Sequence, residues 1–329
     1  MTNLRAGLVG LGMMGRHHAR VLRELEGVDL VAVVDAAGDP HGVRGSLPLL
    51  NDVSDLLSLD LDYCVVAVPT RYHYQVALQL ADAGVNALIE KPIAADSREA
   101  AEITRAFTER GLIGGVGHVE RYNPALQQAR QRLDQGELGD IYQVSTRRVG
   151  PFPARIADVG VIKDLGTHDI DLTAWVTRAR YQSVGAQTAH RSGRPHEDLV
   201  AITGRLDNGI VTNHLVNWLS PLKERLTIIT GEKGAFIADT LTADLTFHAN
   251  GNVPTDWDSV AGFRGVSEGD MIRYAFPKRE PLLTEHEAFR NAVLGKESHY
   301  VSLDEGTATL RVAEAALAAS RSGTTTLLD

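Results

Sequence analysis

Leu4-Arg5-Ala6-Gly7-Leu8-Val9-Gly10-Leu11-Gly12-Met13-Met14-Gly15 joins a short apolar run to three glycines spaced Gly-x-Gly-x-x-Gly. The run reads as a buried strand, and Arg16 to about Glu26, with Ala19, Leu22 and Leu25 apolar, reads as a helix. A second buried strand, Leu30 to Val34, stops on Asp35, 20 residues past Gly15. Strand, glycine turn, helix, strand and terminal acid together make a dinucleotide-binding unit. Gly10 permits the tight turn, Gly12 lets the backbone approach a pyrophosphate, and Gly15 lets the helix pack closely on the strand. Met13 and Met14 lie in the same turn, where the free N–H groups of the helix start face the phosphates. Asp35 is placed to accept hydrogen bonds from ribose hydroxyls, and its charge repels a 2′-phosphate. Ala36, Ala37 and Gly38 supply no compensating cation. NAD is therefore expected rather than NADP, with Arg44 as the nearby cation that would weaken the preference by folding back.

Outward from this unit, Gly38, Pro40, Gly42 and Gly45 leave the next crossover with a very short helix or none. The alternation then resumes: helix Asp52 to Leu57, strand Tyr63 to Val68, helix Tyr72 to Ala83, strand Asn86 to Ile89, helix Ser97 to Glu109, strand Leu112 to Val116. Such alternation specifies a doubly wound parallel sheet. After a helix near Pro124 to Gln135 the pattern changes to longer strands: Ile141 to Val149, Ser183 to Ala189, Leu199 to Leu206, Ile210 to Trp218 and Leu226 to Thr230. Turns such as Asp207-Asn208-Gly209 predict mostly antiparallel pairing. Helices are expected at His168 to Val176, Glu285 to Leu294 and Glu305 to Ser322. The expected fold is thus α/β, with a Rossmann domain over 1–120 and an α+β domain over 121–329 built on a large, mostly antiparallel sheet. One broad face of that sheet is available to another subunit, so a homo-oligomer, dimer or tetramer, is expected.

Length and composition agree with two folded domains: 329 residues, 43% hydrophobic and 23% charged. The net charge of -9, with no basic run, argues against a nucleic-acid partner. Cys64, the single cysteine, lies in the apolar run Tyr63 to Val68, which suggests an inert buried thiol in a reducing compartment. The first residues lead straight into a strand, and no apolar run reaches the ~18 residues of a membrane span. A cytoplasmic protein without membrane contact is expected.

In a doubly wound sheet, ligands bind outside the carboxyl ends of the strands. Three such ends carry distinctive residues: Pro69-Thr70-Arg71-Tyr72-His73, Glu90-Lys91-Pro92, and Gly117-His118-Val119-Glu120-Arg121-Tyr122-Asn123-Pro124. Lys91 is either an ammonium directed at the cofactor crevice or an exposed lysine paired with Glu90. Asp164, His168 and Asp171 are spaced i, i+4, i+7, which puts them on one face wherever the segment is helical, while Asp169 points elsewhere. His168 suits the base that removes an alcohol proton, with Asp164 or Asp171 orienting it; the alternative is a capped helix start with a hydrogen-bonded histidine. Metal binding is the lesser reading, because no Cys cluster or second histidine stands at ligand spacing. His17 and His18 either approach the diphosphate or face solvent. Trp218, with Asn213 and Asn217, lines a sugar cleft or packs in a core or interface.

Gly-Leu-Gly-Met-Met-Gly at 10–15, Glu-Lys-Pro at 90–92 and Asp164-x-x-x-His168-x-x-Asp171, in this order, resemble the Gfo/Idh/MocA oxidoreductase family. The resemblance covers nearly the whole chain. It implies that Lys91 is the active-site lysine, that Asp164 and His168 are its acid and histidine pair, and that Pro69, Thr70, His73 and Glu90 lie on the nicotinamide side. The activity implied is hydride transfer between a sugar or cyclitol hydroxyl and NAD, with either His168 or Lys91 as the formal base. The Gly117 to Pro124 segment, Asp158-Val159-Gly160-Val161 and His168 to Asp171 are most similar to the branch that oxidises UDP-N-acetylglucosamine at C3. The shortened crossover after Asp35 and the small pair Gly166-Thr167 depart from that branch. Arg121, Tyr122 and Asn123 are substrate-side candidates, and Arg121, Arg147, Arg148 and Arg155 are candidates for a diphosphate. The alternatives are an inositol or simple-sugar dehydrogenase and a non-catalytic NAD-responsive regulator.

Overall fold

The computed structural model describes residues 3–152, 159–251 and 268–328. Its contacts divide the chain into two units, residues 1–119 with 280–314, and residues 120–279 with 315–329.

In the first unit, β1 (Leu4–Val9), β2 (Val28–Val34), β3 (Leu49–Leu50), β4 (Tyr63–Val66), β5 (Asn86–Glu90) and β6 (Gly114–Gly117) form one sheet in the order β3-β2-β1-β4-β5-β6. Every neighbouring pair is parallel. The strands are continuous apolar runs because both faces of such a sheet are covered, and Leu8, Val65 and Leu88 are buried in the core between helices. Helices α1 (Met13–Glu24), α2 (Val53–Leu57), α3 (His73–Asp82) and α4 (Ser97–Glu109) provide the cover. In α4, Ala100, Ile103 and Phe107 form the buried stripe, and Asp96 starts the helix by accepting the Glu99 N–H at 2.8 Å, a cap worth about 1 kcal/mol. Strand order reverses between β1 and β4, the switch point where a crevice opens at the strand ends. No helix separates β2 from β3. Gly38, Gly42 and Gly45 adopt positive φ there, and both Asp39 carboxylate oxygens accept backbone N–H groups, from Val43 and Arg44, at 2.8 Å.

A late segment returns to this unit. It comprises α7 (Pro281–Val293) and the first part of α8 (Leu303–Ser322). Residues 280–314, read from the sequence as part of one continuous second domain, therefore cluster with the Rossmann sheet. The reason lies in β6: methyl groups at Gly114 and Gly115 would run into Leu303 and Phe289, so two glycines leave the space these side chains fill. Phe289 also meets the edge of Tyr63, ring centroids 5.6 Å apart. Arg290 donates to the Glu26 carbonyl at 2.8 Å. Helix α7 begins earlier than its apolar spacing suggested because Pro281 is preset for the first turn.

The second unit carries β7 (Ile141–Pro151), β8 (Tyr181–Ala189), β9 (Leu199–Leu206), β10 (Val211–Asn217), β11 (Leu219–Gly231), β12 (Gly234–Asp239), β13 (Asp244–Asn250), β14 (Glu268–Arg273) and β15 (Thr326–Leu327). They form a nine-stranded sheet in the order β14-β13-β12-β11-β7-β10-β9-β8-β15. All pairs are antiparallel except β7 with β10. The Asp207-Asn208-Gly209 turn joins β9 to β10, with Gly209 at φ 90°. Helices α5 (Pro124–Asp134) and α6 (Thr167–Thr177) belong to this unit. Among the described residues no helix is long and apolar enough to cross a membrane.

Candidate functional site

The first unit offers a crevice made largely of backbone. A methyl on Gly10, at φ 99°, would lie 2.5 Å from the Ala67 carbonyl oxygen, and one on Gly15 would strike the Gly10 carbonyl. Nothing lies within 4 Å of the corresponding position on Gly12. Two glycines are thus required by packing, while the middle one leaves an open approach to the start of α1, the arrangement a pyrophosphate needs. Met13 is exposed and Met14 partly so at the same turn. Asp35 accepts the Leu11 N–H with one oxygen and the Ala37 N–H with the other, both at 2.8 Å. This locks the acid at the β2 end against the glycine loop, and each oxygen keeps a lone pair for a ribose hydroxyl. Arg44 is exposed.

The strand ends beside the loop are tied together. Pro69 leads into a single 3₁₀ turn, Thr70–Tyr72, and then into α3. His73, the first residue of α3, is buried, with Nε2 2.8 Å from the Val68 carbonyl and Nδ1 2.9 Å from the Pro92 carbonyl. It therefore staples the loop after β4 to the Glu-Lys-Pro turn after β5. Burial pulls its pKa down, against the two carbonyls and the charge of Glu90. Glu90 is buried and accepts the Lys91 backbone N–H at 3.0 Å, while the Lys91 side chain is partly exposed. His18, which the sequence left undecided, is fully buried and hydrogen-bonds Glu90, whereas its neighbour His17 is exposed.

The second unit presents Asp164 and His168, both buried, on an irregular helical segment. Residues Ile162–Gly166 form a π turn that passes directly into α6, so Asp164 lies in a wider turn than His168. Wide turns of this kind occur frequently at functional sites. The segment begins on Glu197: its carbonyl accepts the Val161 N–H at 3.0 Å and its carboxylate the Ile162 N–H at 3.1 Å. A methyl on Gly160 would collide with that carboxylate.

The helix is then held by buried charge. Arg121 grips both oxygens of Asp171, at 2.7 and 2.6 Å. Arg148 reaches Asp169 at 3.0 Å and Glu120 at 2.9 Å. Burial raises the Asp169 carboxyl to about 6, offset in part by Arg148. Burial likewise opposes the charge on Arg148, but Asp169 and Glu120 outweigh it and hold the guanidinium above its usual range. Asp171, grouped by spacing with Asp164 and His168, thus has both oxygens engaged by Arg121.

The same geometry places the other candidates. Tyr122 is buried, and Asn123 caps α5 through the Ala125 N–H while donating to the Thr240 carbonyl, both at 3.0 Å. Arg147 is exposed and pairs with Glu224 at 3.1 Å. Arg155 and Asp158 lie outside the described residues. Trp218 packs edge-on against Phe152, and Asn213 bonds to Gln143 and Ser145 at 2.8 Å. Arg225 on β11 faces Arg148 across the strand pair and donates to the Val149 and Glu224 carbonyls at 3.1 and 3.0 Å.

Residues 4–118 match the model of the oxidoreductase family with an NAD-binding Rossmann fold, and residues 126–237 match the Gfo/Idh/MocA C-terminal domain. The chain belongs to the Gfo/Idh/MocA oxidoreductase family. UDP-N-acetylglucosamine 3-dehydrogenase of Acidithiobacillus ferrooxidans is 31% identical over 96% of each chain. Its solved structure superposes with a TM-score of 0.85 at 27% identity, covering 98% of this chain and 99% of the other. Inositol 2-dehydrogenase 2 of Saccharopolyspora erythraea is 28% identical over 64% of this chain and 65% of its own. The WlbA dehydrogenase of Bordetella pertussis, solved with NADH and UDP-GlcNAcA, shares the fold at 22% identity, with a TM-score of 0.83 and coverage of 100% and 98%. This family member is a dehydrogenase whose first unit is an NAD-binding Rossmann domain, and the family acts on hydroxyls of sugars or nucleotide sugars.

Proposed function

We propose that this enzyme oxidises a secondary hydroxyl of a nucleotide sugar, C3 of UDP-N-acetylglucosamine being the leading substrate. The supporting observation is the similarity to the Acidithiobacillus ferrooxidans UDP-N-acetylglucosamine 3-dehydrogenase along 96% of both chains, joined to a helical segment that carries Asp164 and His168 on a buried ionic frame. NAD, when bound, takes up the hydride. His168 and Lys91 handle the hydroxyl proton in this reading, Asp164 supports His168, and Asp35 selects NAD over NADP through its charge. The cofactor-facing residues proposed are Gly10, Gly12, Met13, Met14, Gly15, Asp35, Pro69, Thr70, His73, Glu90 and Lys91. Arg121, Tyr122 and Asn123 are the proposed substrate-side residues, Arg121 while also holding Asp171.

A second reading, an inositol or simple-sugar dehydrogenase, is favoured by one observation. Arg121 and Arg148, both nominated for a diphosphate, are committed to buried carboxylates. An uncharged polyol needs neither. A second copy of the chain is proposed to cover the outward sheet face, where Val211 and Leu215 of β10 stand exposed. A cytoplasmic setting is consistent with Cys64, whose burial pushes its thiol pKa up and leaves it unreactive.

NADH absorbance with UDP-N-acetylglucosamine, free N-acetylglucosamine and inositols, each with NAD and with NADP, tests these readings. Turnover confined to the UDP-sugar with NAD is the expected result. Turnover with inositol alone would replace the first reading by the second.

A further inference from the structure

Two buried imidazoles lie in series behind the Glu-Lys-Pro turn. His18 on α1 is 0% exposed and His286 on α7 is 1% exposed. His18 Nε2 stands 2.9 Å from Glu90 Oε1, and His18 Nδ1 stands 2.8 Å from His286 Nε2. The other oxygen of Glu90 accepts the Lys91 backbone N–H at 3.0 Å.

With both rings neutral, proton counting gives this chain one direction. An ionised carboxylate only accepts, so His18 must carry its proton on Nε2 and donate to Glu90. In the neutral ring Nδ1 is then an acceptor, and His286 must meet it with an Nε2 proton. A second proton on His286 is disfavoured, since burial and the neighbouring His18 hold it well below the usual histidine range. Burial alone would raise Glu90, but the His18 hydrogen bond, with the charge and backbone N–H of Lys91, outweighs it and leaves the carboxyl below its ordinary value. Other titratable groups around the chain are His73, whose pKa burial pulls down against the Glu90 charge, exposed His17 beside His18, and Glu285, the neighbouring buried acid on α7.

We propose that His18 and His286 are positioning residues: they fix Glu90 as an oriented carboxylate and, through its bond to the Lys91 amide, set the direction in which Lys91 leaves β5. A single donor would satisfy Glu90. Two imidazoles drawn from opposite ends of the chain also specify which ring nitrogen donates, and so prevent Glu90 from meeting a lone pair. The functional weight of this arrangement rests on the reading of Lys91 as a proton-handling residue.

The test uses the full-length protein. Imidazole nitrogen NMR should find the proton of His18 and that of His286 on Nε2. His286→Phe keeps a ring but removes the donor. Its expected effects are a shifted Lys91 amide resonance whose acid titration moves to higher pH, and a kcat lowered about tenfold or more as Lys91 loses its set direction. The sugar KM should hold. His286→Gln, which can still donate, should restore both readouts, and it stands in if the Phe variant does not fold. A Lys91 amide resonance with an unchanged position and titration in the Phe variant, a Gln variant that does not restore them, or His18 protonated on Nδ1 in the wild type, would overturn the proposal whatever the turnover. An unimpaired Lys91→Ala enzyme would instead sink the reading of Lys91 and leave the amide result standing.

Discussion

The glycine loop of the first unit and helix α6 of the second achieve defined geometry from different materials. At the loop the working surface is backbone, and the residues matter for what they lack: a methyl would strike the Gly10 carbonyl from Gly15, while Gly12 leaves its approach open. At α6 the working residues hang on side chains brought from afar. Arg121 comes from the turn before α5 and Arg148 from β7 to grip Asp171 and Asp169. A site defined by missing side chains is local in sequence, whereas one defined by buried charge pairs is written in positions far apart.

The sharpest way to break the comparison is at the buried charges. Arg121→Leu strips Asp171 of its two-pronged buried partner, which costs about 3–5 kcal/mol. Urea unfolding should show that loss, and adding Asp171→Leu should recover much of it, because two apolar residues in place of a buried pair are often neutral. Gly15→Ala comes next. The collision with the Gly10 carbonyl forces a backbone shift of about 1–3 kcal/mol, seen as a lowered Tm together with weakened NAD binding by fluorescence titration. The smallest stability effect belongs to Gly12→Ala, within about 0.5 kcal/mol of wild type because no neighbour is near. NAD affinity should nevertheless fall about tenfold or more, since the methyl occupies the pyrophosphate approach. Equal effects from the two glycine variants would show that loop packing and cofactor access are not separate properties.

What the sequence revealed follows the same division. The β1–glycine–α1–β2 unit and its closing Asp35 were legible because each part is local. So was the missing helix after β2, announced by Gly38, Pro40, Gly42 and Gly45. Strands β12 to β14 were not read, although Leu245, Phe247 and Ala249 of β13 alternate with polar neighbours, because each run is only six or seven residues long. Helix α7 was recognised as a helix, but nothing in its apolar stripe names the sheet it joins. Asp171 was grouped with His168 by spacing alone, and the structure gives it to Arg121. The π turn also escaped, because a period of 3.6 was assumed throughout. His18 was seen and left undecided, for its partner His286 is 268 positions away.

The return of residues 280–314 to the first unit has a consequence for biosynthesis. Strand β6 is the edge of its sheet, and Val116 donates to the Val301 carbonyl at 2.9 Å. During translation, the first 119 residues leave the ribosome long before the segment that covers this edge and supplies Phe289 to the core. At roughly 5–20 residues per second, that interval lasts on the order of ten seconds. For that time the nascent Rossmann sheet has an open, glycine-lined flank, so its completion waits on a segment made long after all of its strands.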